Sequence, residues 1–100
     1  MQIAEAIERC YLVRDRLTDP IRSHLIDMYS HKKWIDMTCV FLQAIGNQHQ
    51  VPGSVVQQLV DIGYQYHQDQ TLTRKQVWYV AMSMIDYWDQ MSLEHRCQLV

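Results

Sequence analysis

The chain predicts an all-α fold: a compact bundle of five or six short helices forming a single domain over residues 1–100. Three observations carry this reading. Apolar residues recur at three- and four-residue spacing through most of the chain, the period of a helix with one buried face. Only three Gly and two Pro are present, too few for the many turns of an all-β protein. Residues 54–57 (Ser-Val-Val-Gln) and 73–76 (Thr-Arg-Lys-Gln) both have the S/T-x-x-Q form of a capping box, which opens a helix. With 48% hydrophobic residues among 100, the length fits one modest core.

The first helix is predicted over residues 2–17, on Ile3, Ile7, Cys10, Arg14 and Leu17, with Ala6 and Val13 widening the stripe. Asp19 and Pro20 end it and start the second, Asp19 as N-cap and Pro20 at the first helical position. Ile21, Leu25, Met28 and Tyr29 form the second apolar face. Ser30 either caps a third helix or kinks a longer one. Residues 34–45 are the most apolar segment, with Trp34, Thr38, Phe41 and Ile45 on one side and Ile35, Val40 and Leu42 extending it. A buried strand is the alternative there, but length and the lack of partner strands favour a helix, stopped by Gly46 and Asn47. The fourth helix is expected to open at Ser54 and run to about Gln68 on Val55, Val56, Leu59, Val60, Gly63 and Tyr66. The fifth opens at Thr73, with Leu72 and Val77 as a hydrophobic staple, and buries Val77, Ala81, Met84, Ile85 and Trp88. Ser92 caps a last short helix reaching Leu99. Trp34, Phe41, Ile45, Leu59, Ala81, Ile85 and Trp88 are expected in one core.

A net charge of −2 gives no general attraction to nucleic acid or anionic membrane. Glu5 and Glu8 stand where a signal peptide would be basic and then apolar, and no apolar run approaches the ~20 residues of a membrane span. The expectation is a cytoplasmic protein with no membrane contact. Cys10, Cys39 and Cys97 are odd in number and widely spaced, which suits reduced thiols. Cys39, inside the most apolar segment, is expected in the core.

No cofactor, metal or catalytic site is predicted. The five His and three Cys form no H-E-x-x-H, C-x-x-C or H-x-x-x-H. The three glycines, at 46, 53 and 63, are isolated, so no phosphate-cradling loop exists. Asp86 and Asp89, three apart, share a face if the fifth helix continues through them, and would meet a cation or a basic partner there.

The sharpest local signal is Arg74 and Lys75. No Lys or Arg occurs from Trp34 to Thr73, so this pair is the only positive charge in the middle of the chain. It sits in the first turn of the fifth helix, where the dipole disfavours cations. Either the pair is solvated and tolerated, or it meets an anion with the free helix amides behind it. On the dipole argument alone, reversing both charges to Glu should stabilise the fold. Tyr79 lies beyond Lys75 on the outer side of the same helix.

Two further features point towards a partner. Eight of the twelve Gln lie between Gln43 and Gln70, together with Tyr64 and Tyr66; aromatic enrichment with charge depletion is what interface cores show. Phe41, Leu42 and Ile45 with Gln48, followed by Leu72, Thr73, Lys75, Gln76 and Trp78, also form an F-L-x-x-I-x-x-Q…L-[ST]-x-K-Q segment. This resembles small helical proteins of bacteriophages and mobile elements. The resemblance covers about half of the chain, departs in its long spacer and extra helix, and implies a source and a helical hairpin rather than an activity.

The leading expectation is therefore a non-enzymatic interaction protein that binds a protein partner, or a second copy of itself, through Arg74, Lys75, Tyr79, Tyr64, Tyr66, Gln57 and Gln65. The source implied by the resemblance suggests an inhibitor or adaptor of a host complex that handles nucleic acid. Exposed apolar area is expected around Tyr64, Tyr66 and Tyr79. The alternative is a dimeric DNA-binding regulator that presents Arg74, Lys75 and Gln76 at the start of a recognition helix. Asp61 and Asp69 argue against it, since they would repel phosphate.

Overall fold

A computed structural model describes residues 2–46 and 50–99. Within them the chain forms α1 (Ile3–Leu12), α2 (Asp19–Asp27), α3 (His31–Ile45), α4 (Gly53–Asp69), α5 (Arg74–Asp86) and α6 (Leu93–Cys97), with 3-10 turns at Arg14–Arg16 and Trp88–Gln90. No strand occurs among the described residues. The all-α bundle holds, and residues 34–45 are helical.

The centre of the bundle is α5, which packs against α1, α2, α3 and α4. Its sequence explains why. Val77, Val80, Ala81, Met84 and Ile85 are all buried, a stripe wide enough to touch neighbours on several sides. All seven expected core residues are at most 1% exposed. The two indoles at the heart of this core are held differently. Trp34 Nε1 donates to the Ile26 carbonyl at 3.1 Å, taking up an acceptor that the end of α2 leaves without a helical partner. Trp88 Nε1 is buried and has no hydrogen-bond partner among the described residues, although the Arg96 guanidinium lies 4.9 Å from the centre of its ring system.

The helix starts follow the capping residues with two exceptions. Ser30 does separate α2 from α3: its Oγ accepts from the Lys33 amide. Thr73 and Gln76 close a complete capping box on α5, and Ser92 Oγ accepts from the His95 amide at the start of α6. At α2, however, Thr18 rather than Asp19 holds the N-cap position, and Pro20 sits one place further in. The Asp19 carboxylate accepts from Arg22 instead of from the helix amides. At α4 the capping box does not form. The helix begins at Gly53, the Val55 and Val56 amides donate to the Pro52 carbonyl, and Gln57 turns forward to Asp61 at 2.9 Å. Ser54 thus lies inside the first turn of α4 rather than at its cap.

Two further expectations are corrected. α1 ends at Leu12, not at residue 17, because the chain tightens into the 3-10 turn before Asp19. Cys39 is exposed: it falls on the side of α3 opposite Trp34 and Phe41. The helix stop at Gly46 is seen, while its partner Asn47, and Gln48 of the phage-like segment, lie outside the described residues.

Candidate functional site

Arg74 opens α5 and Asp27 closes α2. Each stands at the end of its helix where the dipole opposes its charge. The fold brings those two ends together: Arg74 donates through both terminal nitrogens to the Asp27 carboxylate, at 2.8 and 3.5 Å. Two local conflicts thus become one ion pair. The guanidinium holds the Asp27 carboxyl below the usual aspartate range, with His24 assisting more weakly, and the carboxylate in turn raises Arg74. Both side chains remain solvated at about 60% exposure, so the pair orients α5 against α2 more than it stabilises the fold. It borders a polar hollow of about 250 Å³ with Tyr29, Ser30 and His31. Arg74 therefore meets an anion, but one of its own chain.

His31 serves the same corner, and nothing in its sequence context marked it. From the first position of α3, its Nδ1 accepts the Leu72 amide at 3.1 Å and lies 3.3 Å from Thr71 Oγ1. This fixes the connection between α4 and α5. An imidazole that accepts at Nδ1 carries its proton on Nε2. Gln65 is likewise structural, because its amide pairs with Gln76 across α4 and α5 at 2.6 Å. Gln76 thereby serves the capping box and the helix contact together. The L-T-R-K-Q segment is a hydrophobic and polar helix start, which is why such a string can recur in unrelated helical proteins.

The remaining expected partner residues differ in exposure. Lys75 is exposed and makes no ion pair among the described residues. Tyr79 and Tyr66 are half-buried and packed on the core, Tyr79 with its phenol pushed up by burial. Gln57 is exposed but engaged by Asp61. Only Tyr64 stands out, at 67% exposure. Exposed apolar area is thus not gathered at the three tyrosines. Leu12, Ile21 and Met28 expose theirs on α1 and α2, and Leu93 on α6.

Tyr64 edges a groove of about 160 Å³ between α3 and α4, lined with Ile35, Thr38, Cys39, Leu42, Leu59, Val60, Gly63 and His67. A Cβ at Gly63 would meet nothing within 4 Å, so the position has room for a side chain. Apart from His67, no lining residue can carry a charge at neutral pH. Cys39 and Tyr64 are the reactive and aromatic groups of this face.

Asp86 and Asp89 do not share a helix face: Asp86 ends α5 and Asp89 lies in the 3-10 turn beyond it. Burial raises the Asp86 carboxyl, opposed by Arg22 and Arg14. His24 and His31 fall on separate helices. No cluster of three or more His, Cys, Asp or Glu side chains suited to a metal ion occurs among the described residues. None of the described helices is long and apolar enough to cross a membrane. Compared with protein-family models, with curated proteins and with solved structures, the chain matches none.

Proposed function

We infer that the chain is a non-enzymatic binding module that docks a protein partner on the face shared by α3 and α4. The observation that carries this reading is the uncharged groove with Tyr64 at its edge. An exposed tyrosine beside apolar walls offers a large, rigid contact with one polar tip, the composition that protein interfaces concentrate at their centres. The likeness of residues 41–88 to small phage proteins directs the proposal towards a host complex that handles nucleic acid, on which the chain would act as inhibitor or adaptor. Asp27 engages the Arg74 guanidinium, and α4 has no Lys or Arg for a phosphate backbone. Both weigh against the helix-turn-helix alternative.

The test compares proteins co-purified from the natural host with wild type and with Tyr64→Lys. The exposed position should leave the circular dichroism spectrum and melting unchanged, while the partner is lost. A partner retained at wild-type yield by the folded variant refutes the reading.

A further inference from the structure

Among the contacts that join helices distant in the chain, one depends on the protonation state of a side chain. His31 stands at the first position of α3. Its Nδ1 accepts the Leu72 amide at 3.1 Å, across 41 positions of sequence, with Thr71 Oγ1 at 3.3 Å. Leu72 is 5% exposed and directly precedes Thr73, the cap of α5. An imidazole nitrogen accepts only in the neutral ring, because the imidazolium donates from both nitrogens. A proton on Nδ1 would therefore meet the Leu72 N–H donor to donor. Thr71 can turn its hydroxyl round to accept, but a main-chain amide has no such freedom.

The surroundings do not compensate a charge on this ring. His31 lies in the first turn of a helix of 15 residues, where the dipole disfavours a cation. The hollow beside it is lined by Asp27, Arg74 and Tyr29, with Asp27 and Arg74 paired to each other at 2.8 Å. Along α3, Lys32 is paired with Asp36, and Lys33 brings a further positive charge. The last turn of α4, ahead of the connection, carries His67 and Asp69. Among the described residues no carboxylate is within ion-pair distance of the imidazole. The Arg74 guanidinium keeps the Asp27 carboxyl below the usual aspartate range, so that pair persists while histidines titrate.

We propose that His31 is an acid-sensitive clasp on the connection between α4 and α5. In its neutral form it fastens that connection to the start of α3. On taking up a proton it releases the connection while the rest of the bundle stays folded. Histidine changes charge between about pH 5 and 8. Because the neutral ring makes the bond, its contribution is full at the upper end of that range and is lost as pH falls. The start of α5 itself is indifferent to this change. The capping box of Thr73 and Gln76 contains no titratable atom, nor does the pair of Gln65 with Gln76. Loosening is thus confined to Thr71 and Leu72. The clasp does not rest on the docking reading at Tyr64.

Amide hydrogen exchange, read residue by residue by NMR at about pH 7.5 and about pH 5.5, tests the clasp once the ordinary pH dependence of exchange is divided out. The Gln76 amide, which donates to Thr73 Oγ1 at 3.1 Å, is the internal reference. On acidification the Leu72 protection factor should fall about fivefold relative to that of Gln76, the loss of one hydrogen bond. His31→Asn and His31→Ala, neither of which can take up a proton there, should abolish that fall, whatever level of protection each retains. The proposal is overturned if Leu72 protection in wild type is the same at both pH values. It is also overturned if Gln76 loses protection in step with Leu72, since the response would then be global. A fall that survives in either variant overturns it as well, because another group would be responsible.

Discussion

The two central tryptophans allow a controlled comparison, because both are enclosed and only one has its indole N–H satisfied. Replacing either with Phe removes about 40 Å³, which at about 24 cal/mol per Å³ of residual cavity costs about 1 kcal/mol. For Trp34→Phe the hydrogen bond is lost as well, and the Ile26 carbonyl is left buried without a donor, an added penalty of about 1–3 kcal/mol. For Trp88→Phe the sign of the polar contribution reverses. The substitution removes a buried donor that had no acceptor, returning about 1–3 kcal/mol, less about 0.5 kcal/mol of weakened attraction to Arg96. Trp34→Phe should therefore cost about 2–4 kcal/mol, while Trp88→Phe should fall between about 0.5 kcal/mol less and about 1.5 kcal/mol more stable than wild type. Guanidinium unfolding followed by far-ultraviolet circular dichroism reads both, and the difference of at least about 1.5 kcal/mol corresponds to at least about 6 °C in melting temperature for a domain of this length. Equal losses, or a larger loss at Trp88, would refute the hydrogen-bond reasoning.

Arg74→Met should destabilise the protein at pH 7 and let the Asp27 carboxyl titrate at a higher pH by NMR. Because Arg74 lowers the folded-state value of Asp27, the pair's contribution is present above the unfolded aspartate range and is lost as pH falls through the folded value. Wild type and variant should therefore converge in stability at strongly acid pH; a gap that persists there excludes the ion pair as its cause. Arg74→Glu, which faces Asp27 with a like charge, should melt below Arg74→Met, the reverse of what the helix dipole alone predicts. His31→Ala should lower hydrogen-exchange protection at the Leu72 amide, equivalent to about 1 kcal/mol of local stability. Unchanged exchange would mean that the imidazole does not hold the connection.

Helix faces were legible wherever burial follows the 3.6-residue period, and so Trp34, Phe41, Leu59 and Ile85 were identifiable before any fold was known. Caps made only of local atoms, Thr73 with Gln76 above all, were equally legible. Ser54 was not, because the Pro52 carbonyl competes for the same helix start, and sequence spacing does not rank two competent caps. The Arg74 pair with Asp27 spans 47 positions and the His31 contact with Leu72 spans 41, distances at which no periodicity carries information. Cys39 misled because an apolar neighbourhood in sequence is shared by both sides of a helix. Ile21 and Met28 misled for a related reason: they fit a core stripe, and only the bundle shows that they are exposed.

The position of α5 also has a consequence in time. Ribosomal synthesis releases α1 and α2 first, yet the helix on which both rest begins at Arg74 and ends at Asp86. Until α5 has emerged, the apolar stripes carrying Ile3, Ile7, Leu25 and Ile26 lack the helix that covers them. A nascent chain of this kind gains little from folding piece by piece, and it presents α1 and α2 to chaperones or to aggregation until α5 follows. Completion of α5 closes the core in a single late step, so a premature stop anywhere before Val77 yields a fragment with its helices encoded and no centre to assemble around.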